Sequence, residues 1–215
     1  MWHPAQRCEK STAPLWVGSL CDTEIPSVPH AARPIAAATA AVVRRRGLTR
    51  AASYFLMAHV PSAALRDAMS RFPTGVTVVT ALGPAGPAGA TANAVASLSL
   101  EPPLMLACLD LGSRTLVAVE HSRLFGVNVL SADQADLARR FSTKDPHPEK
   151  WDGVSWSEQA GTPMIEGSAV WLTCELAEVH EGGDHSIVTG TVTELQASGG
   201  KPLVFFDGEY RPLEA

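Results

Sequence analysis

One stretch of the sequence, residues 74–110, limits the possible folds of this chain more than any other. Its apolar runs are rich in β-branched residues and are interrupted by Gly and Pro, a pattern typical of short strands joined by turns. We predict strands at residues 76–81, 90–100 and 104–109, with a hairpin-like turn at 83–89. The pair Pro102-Pro103 predicts that no ladder joins the last two strands, because proline has no N–H to donate.

The order of the remaining patterns favours a mainly β fold. Apolar residues at helical spacing begin after Ser62, which we expect to cap a first helix. A short helix is predicted at residues 113–121. The capping-box pattern of residues 131–134 predicts a second short helix that ends near Phe141, and a long loop is predicted at 142–163. Further strands are predicted at 124–130, 169–179, 185–195 and 202–206. Because this order is not a βαβ alternation, a small, mainly antiparallel barrel fits better than a doubly wound sheet.

The charge balance and the cysteines argue against several classes of function. Residues 1–56 hold seven Lys and Arg against three Asp and Glu, whereas residues 57–215 hold ten against nineteen. Such an acidic body argues against a nucleic-acid partner, and no apolar run approaches the roughly 18 residues that cross a membrane. The four cysteines lack metal-ligand spacing. We therefore expect no metal site, free thiols and a reducing cytoplasm.

The first 56 residues differ in composition from the rest of the chain. Scattered prolines and a stretch rich in Ala and Arg predict either a disordered extension or an upstream start codon, with Met57 as the true beginning. A transit peptide is the alternative, although the arginines here follow the apolar run instead of preceding it. We predict one domain at residues 57–215.

Three segments are candidates for ligand contact. In residues 91–99, small side chains allow close approach to the backbone and hydroxyl groups can bind phosphate oxygens; the alternative is an ordinary strand with one solvent face. Ser113, Arg114 and Thr115 open a predicted helix, where free N–H groups and the helix dipole favour an anion. An ordinary capped helix would show the same pattern. The aromatic segment 202–210 either lines a cleft or packs its rings in the core.

Two further segments carry charge beside aromatic or turn residues. Basic residues crowd the segment 139–150, where Phe141 and Trp151 offer flat surfaces for a ring. The alternative is a flexible charged loop after a helix. Asp184 stands next to His185 in a Gly-rich turn, so the carboxylate could orient the imidazole for ligand binding or proton transfer. A lone turn histidine is more often only a turn residue.

The order and spacing of these segments together resemble the flavin reductase-like family, the short reductases that supply reduced flavin to two-component monooxygenases. The resemblance runs from about Leu65 to Tyr210 and leaves residues 1–56 outside. It is carried by the motifs RFPTGVTVVTA, GATANAVASLSLEPPLMLACLD, SRT, FGVNVLS, LARRFSTKDPHPEKWDGVSW, GTPMIEGSAVWLTCE, GGDHSIVTG and PLVFFDGEY.

The resemblance implies an FMN-binding split β-barrel with a few short flanking helices, assembled as a homodimer with flavin near the subunit interface. The implied activity is hydride transfer from NAD(P)H to FMN or FAD, with reduced flavin passed to a separate monooxygenase. Two alternatives remain, since fold does not fix function: a flavoprotein with tightly bound FMN and another acceptor, or a non-catalytic interaction module. NADH is favoured over NADPH, because no basic pair is assignable to a 2′-phosphate.

The resemblance also implies the residues of the site. The flavin contacts carried over by motif are Thr91, Ala92, Asn93, Ala94, Ser97, Cys108, Leu109, Asp110, Ser113, Arg114, Thr115, Arg140, Phe141 and Lys144. Those at the helix start hold the phosphate and those on the strands face the ring and ribityl chain. The nicotinamide is expected beside His185, the catalytic candidate, and beside Phe205, Phe206, Asp207 and Gly208. The chain departs from the family at Val95 and Trp151, which leaves the choice between FMN and FAD open.

Overall fold

The structure is a computed structural model that describes residues 60–145 and 147–213. The predicted extension at 1–56 and the proposed start at Met57 lie outside the described residues, so both stay predictions. Within the described residues, no helix is long and apolar enough to cross a membrane.

Four short helices and twelve strands make up this part of the chain. The helices are α1 (Ser62–Ser70), α2 (Arg114–Ser122), α3 (Ala135–Ser142) and α4 (His147–Trp151). The strands are β1 (Thr74–Gly75), β2 (Thr77–Gly83), β3 (Gly86–Ala92), β4 (Val95–Leu100), β5 (Pro103–Asp110), β6 (Leu124–Val129), β7 (Trp156–Gln159), β8 (Thr162–Ile165), β9 (Val170–Gly182), β10 (His185–Ala197), β11 (Leu203–Phe206) and β12 (Glu209–Pro212). The prediction of a mainly β fold is confirmed.

One seven-stranded sheet, in the order β3-β2-β6-β9-β10-β5-β4, forms the body of the fold. Every neighbouring pair in it is antiparallel. The two edge strands, β3 and β4, are nevertheless consecutive in sequence and are joined only through Asn93 and Ala94. Such a link spans at most roughly 11 Å, at about 3.8 Å per Cα step. The sheet must therefore coil until its opposite edges meet at one end, although no ladder joins β3 to β4.

The adjacent prolines do not act as predicted. Strands β4 and β5 pair antiparallel, and their ladder closes at Leu100 opposite Pro103. Pro102 and Pro103 lie at the turn end of this hairpin, where a missing N–H removes no bond from the middle of the ladder. The prediction that these residues bar the ladder was wrong, because the two strands turn back on each other at the prolines instead of separating there.

Other boundaries also differ from the sequence prediction. The strand predicted at 90–100 is two strands, β3 and β4, separated by Asn93 and Ala94, and β3 begins at Gly86, within the predicted turn at 83–89. The segment 142–163, expected as a loop, contains α4, β7 and the start of β8. These short elements bear no long periodic pattern and form because their apolar residues pack against the sheet. Ser62 is the first residue of α1 instead of its cap, Pro61 occupies the cap position, and α1 has no buried residue.

Two clusters of buried side chains form the core. The larger lies between the coiled sheet and α2 and includes Val79, Phe125 and Val188. The smaller lies beside α3 and α4 and contains Phe141, Trp151, Leu203 and other apolar side chains, with Phe205 and Tyr210 packed against it. The smaller cluster joins the three-stranded sheet β1-β11-β12 to α3 and supports one wall of the cavity described next.

Candidate active site

A cavity of about 480 Å³ opens where β3, β5, the start of α2 and the end of α3 come together. It is lined by Gly89, Ala90, Thr91, Cys108, Leu109, Asp110, Gly112, Ser113, Arg114, Phe141, Ser142, Thr143, Lys144, Asp145, Lys150 and His185. This volume falls within the range of small-molecule sites, which hold about 300–1,000 Å³. The cavity therefore has room for one planar ligand with a charged tail.

The start of α2 presents an anion-binding geometry at the cavity. Ser113 caps the helix, and its Oγ accepts a hydrogen bond of 3.1 Å from the Thr115 N–H. Asp110 Oδ1 accepts a bond of 2.7 Å from the Gly112 N–H and so shapes the turn that precedes the cap. Thr115 is fully buried and its Oγ1 has no hydrogen-bond partner in the structure. The exposed Arg114 adds a full positive charge to the helix dipole.

An aromatic pair supports the cavity beside β3. The rings of Phe141 and Trp151 meet edge to face, with centroids 5.0 Å apart. A Cβ on Gly89 would lie 2.8 Å from the Phe141 ring and 3.2 Å from the Trp151 ring. Since real Cβ contacts are not that short, only glycine allows the β3 backbone to approach this pair. The backbone of β3 thus forms part of the cavity wall.

Cationic side chains outnumber carboxylates in the lining of the cavity. Arg114, Lys144 and Lys150 line it, against the carboxylates of Asp110 and Asp145. Lys150 is only 5% exposed, and its Nζ donates a hydrogen bond of 3.3 Å to the Phe141 carbonyl. Burial lowers the pKa of the Lys150 ammonium; Asp145 acts to raise that pKa and Arg114 to lower it further. The arrangement is suited to a phosphate group.

The turn between β9 and β10 brings His185 to the cavity. His185 is paired with Asp110 across the β10–β5 ladder. Its Nδ1 lies 2.7 Å from Asp184 Oδ1. The hydrogen bond and charge of His185 lower the pKa of the exposed Asp184, which keeps this carboxylate an acceptor. Nδ1 therefore donates, and Nε2 is left as the ring atom for a ligand.

The structure brings nine of the predicted site residues to the cavity: Thr91, Cys108, Leu109, Asp110, Ser113, Arg114, Phe141, Lys144 and His185. For two of these residues, Thr91 and Cys108, the structure indicates a particular role in the cavity wall. The Thr91 hydroxyl donates a 2.7 Å bond to the Ala138 carbonyl, so it ties β3 to α3. Burial raises the pKa of the Cys108 thiol. Cys108 is therefore a neutral, apolar part of the wall instead of a nucleophile.

The other predicted flavin contacts do not line this cavity. Ala92 is buried at the end of β3, where its carbonyl accepts a 2.6 Å bond from Thr77 Oγ1. Asn93 and Ala94 form the link to β4, and Ser97 lies on that exposed edge strand. The side chain of Arg140 points elsewhere, because its Nη1 donates a 2.6 Å bond to the Asp152 carbonyl. Thr115, the second residue of α2, is fully buried and lies outside the cavity lining.

The four residues predicted beside His185 on the nicotinamide side lie in the three-stranded sheet, away from the cavity lining. Phe205 packs on Tyr210 with ring centroids 5.2 Å apart, and Arg211 lies 5.9 Å from the Phe206 ring. Asp207 and Gly208 form the turn between β11 and β12, and the Asp207 N–H donates a 2.8 Å bond to the Ser70 carbonyl. Their proposed role stays a prediction.

Sequence reasoning missed seven residues of the lining: Gly89, Ala90, Gly112, Ser142, Thr143, Asp145 and Lys150. Lys150 and Asp145 belong to the charged segment that the sequence singled out, so their charges were the available signal. Gly89 was assigned to a turn because it ends a Gly- and Pro-rich run. The structure instead places Gly89 inside β3, opposite Thr80 on β2.

Residues 69–214 match the family model described as the flavin reductase like domain. The chain belongs to the flavin reductase-like family. Among curated relatives, it is 39% identical to the reductase subunit HsaB of a flavin-dependent monooxygenase of Mycobacterium tuberculosis, over 74% of this chain and 86% of that protein. It is 37% identical to the FMN reductase (NADH) RutF 2 of Rhizobium rhizogenes, over 69% of this chain and 87% of that protein.

Solved structures agree with this membership of the flavin reductase-like family. BorF, the flavin reductase component of a bacterial two-component tryptophan halogenase, is 35% identical with a TM-score of 0.67, over 72% of this chain and 99% of that one. The NADH:FAD oxidoreductase SgcE6 of Streptomyces globisporus, in complex with NAD and FAD fragments, is 35% identical with a TM-score of 0.66. That match covers 72% of this chain and 93% of the other.

Proposed function

We propose that this protein is an NAD(P)H:flavin oxidoreductase that reduces FMN or FAD and supplies the reduced flavin to a separate monooxygenase. The observation that carries the proposal is the cavity itself. It brings together the start of α2, the cationic side chains of Arg114, Lys144 and Lys150, the supporting Phe141–Trp151 pair and His185. Family membership and relatives named as reductase subunits support the same reaction.

The residues present fit a flavin phosphate. The start of α2 lies in the cavity lining, where Arg114 can form two parallel bonds to phosphate oxygens. Along β3 and β5, the lining residues Ala90, Cys108 and Leu109 are small or apolar and suit a flat ring.

The protein's contribution to the reaction is alignment. When bound, flavin supplies the hydride-accepting chemistry. Arg114 at the start of α2, together with Lys144 and Lys150, holds one end of the ligand, and the small residues of β3 and β5 set the plane in which its ring lies. His185 then acts as a positioning group for the hydride donor, since its Nε2 faces away from Asp184. Because both substrates enter and leave, we expect moderate affinity for flavin.

The finer features of the assembly belong to the same proposal. A homodimer is supported by exposed apolar side chains on the β4 edge, Leu98 and Leu100, and on α1, where Leu65 and Met69 have no partner in the core. The coiled sheet, open between β3 and β4, is what a split barrel requires. Free Cys108 and Cys174 support a cytoplasmic location. NADH is the proposed donor, as in the relative named FMN reductase (NADH).

The decisive experiment measures NADH oxidation with and without added FMN or FAD. Strict dependence on added flavin is the expected result. A flavin that copurifies and never exchanges would replace the proposal with a tightly flavinated oxidoreductase that uses another acceptor. Absence of flavin binding would leave only an interaction module.

A further inference from the structure

The C-terminal end of α3 is completed by side chains that also line the cavity. The last four carbonyls of a helix have no partner within the helix, so other groups must donate to them. Near the end of α3, four consecutive carbonyls accept hydrogen bonds from side chains. The donors are Thr91, Ser142, Thr143 and Lys150, and all of them belong to the cavity lining. The end of the helix and this wall of the cavity are therefore built from the same side chains.

Three of these donors are hydroxyl groups, and each hydroxyl has a single proton to give. Thr91 Oγ1 and Ser142 Oγ donate at 2.7 Å, and Thr143 Oγ1 donates at 2.9 Å. The acceptors, in the same order, are the carbonyls of Ala138, Arg139 and Arg140. Because a carbonyl oxygen can only accept, the direction of all three bonds is fixed.

The hydroxyl oxygens of Thr91, Ser142 and Thr143, named here the acceptor wall, have only lone pairs left to offer a ligand. Turning one of their protons toward a ligand would leave a carbonyl of the helix end without this donor, which offsets the bond gained. Ser142 and Thr143 are exposed, so a ligand in the cavity can reach them. Neither residue was predicted from the sequence as a ligand contact.

An acceptor wall binds groups that donate hydrogen bonds. A phosphate group offers acceptor oxygens of its own, so it gains nothing from these hydroxyls. The oxidised flavin ring has N3–H as its donor, whereas the ribityl chain carries several O–H groups. Three acceptors in one wall therefore match the ribityl chain better than they match the ring.

We propose that Thr91, Ser142 and Thr143 recognise the O–H groups of the ribityl chain of a flavin. The inference deepens the proposed function and rests on it. It gives these hydroxyls a part in ligand selection that is separate from the phosphate contact of Arg114. A flavin without ribityl hydroxyls loses the bonds to the acceptor wall and keeps the contacts of its ring.

A role in capping α3 alone would give different behaviour. Phe141 lies beside Ser142 in the same turn of α3, and its ring supports the cavity. Loosening this turn would therefore weaken the binding of every flavin, whatever its side chain. Loss of an acceptor weakens only the ligands that carry the matching donor.

The test compares riboflavin with lumiflavin, which has the same ring but a methyl group in place of the ribityl chain. Neither ligand carries a phosphate. Binding to the full chain is followed by quenching of flavin fluorescence, without NADH. We expect the wild type to bind riboflavin about 10-fold or more tightly than lumiflavin. In Ser142→Ala, the Kd for riboflavin should rise by about 3- to 10-fold, and the Kd for lumiflavin should stay within about twofold.

Ser70→Ala is the matched control. Ser70 Oγ donates to the Asp67 carbonyl at 2.7 Å, so it makes the same bond, three residues back, at the end of α1. Because Ser70 lies outside the cavity lining, both dissociation constants should be unchanged. Thr143→Val is an independent test of the wall, since valine keeps the branched shape but has no oxygen to accept. It should change the two constants in the same way as Ser142→Ala.

FMN separates the acceptor wall from the phosphate site. Since FMN and riboflavin share the ribityl chain, Ser142→Ala should raise both dissociation constants by the same factor. A much larger loss for FMN would assign Ser142 to the phosphate and refute the proposal.

The remaining outcomes separate the acceptor wall from the proposed function. If the wild type binds no flavin, the proposed function fails. If it binds FMN, but binds riboflavin no more tightly than lumiflavin, the function stands and the acceptor wall is refuted. Equal weakening of riboflavin and lumiflavin by Ser142→Ala would also refute the wall, in favour of a cap or of the ring N3–H. Unchanged binding of both ligands in Ser142→Ala and in Thr143→Val would remove these hydroxyls from the site.

Discussion

Replacing Gly89 by alanine tests whether the stability of the fold and the shape of the cavity depend on the close approach of β3 to the Phe141–Trp151 pair. The new Cβ would lie 2.8 Å and 2.9 Å from two carbons of the Phe141 ring and 3.2 Å from the Trp151 ring. Phe141 is 1% exposed and Trp151 is 7% exposed. Because each ring is held edge to face against the other, neither can move away without disturbing its neighbour.

The expected loss of stability follows from two opposed effects. Overpacking a well-filled core costs about 1–3 kcal/mol. Removing a glycine restricts the unfolded chain and returns about 0.4–1 kcal/mol. Since the rings beside Gly89 cannot yield, the overpacking cost belongs near the top of its range, and we expect a net loss of about 2 kcal/mol. For a domain of about 150 residues this lowers Tm by roughly 4–8 °C.

The assay is thermal unfolding, combined with flavin binding on the same samples. The matched control is Gly75→Ala, also on a strand, where a Cβ would meet no atom within 4 Å. We expect the control to keep its Tm or to gain slightly, and Gly89→Ala to bind FMN more weakly because the Phe141 ring shifts. Equal melting temperatures for the two variants would refute the packing argument. Unchanged FMN binding at a lowered Tm would refute the link between this pair and the site.

Three further substitutions test the site and its support. Arg114→Ala should raise the KM for flavin by about 10-fold or more, and far more than that for NADH, because a charged phosphate contact is lost; equal effects on both would exclude the phosphate role. His185→Ala should raise the KM for NADH while flavin binding stays near normal, and unchanged steady-state kinetics would remove His185 from the site. Asn128→Ala should lower the free energy of unfolding, measured in denaturant, by about 3 kcal/mol. The Asn128 side chain accepts a hydrogen bond from the Ile165 N–H and donates one to Thr80 inside the core, and alanine can make neither. A loss below about 1 kcal/mol would contradict this.

Local patterns in the sequence predicted the features whose hydrogen bonds join residues only a few positions apart. Ser113 was expected to begin a helix, and it caps α2 through a bond to the N–H two residues later. The capping-box pattern before α3 is half realised: Gln134 Oε1 accepts from the Ser131 N–H, but Ser131 Oγ donates to the Gly167 carbonyl instead. These features depend on neighbours in sequence, so the sequence alone was sufficient for most of them.

Contacts between segments that are far apart in the sequence could not be predicted from local patterns. Pro102 and Pro103 were expected to separate two strands, yet they close a hairpin, since the effect of a proline depends on where along a ladder it falls. Lys150 was noted only as one charge in a loop. Its burial beside Arg114 depends on α4 packing against Trp156 and the sheet, which no local pattern describes.

The sequence by itself determined that the chain is mainly β, that a helix capped by Ser113 follows β5, and that the motifs resemble flavin reductases. Tertiary structure alone decided which residues share the cavity. The sheet coils because β3 and β4, at its opposite edges, are joined only through Asn93 and Ala94. That closure brings Thr91, Arg114 and His185 to one site although they are far apart in sequence. It also leaves Phe205 in a separate sheet, because packing on Tyr210 satisfies its apolar ring there.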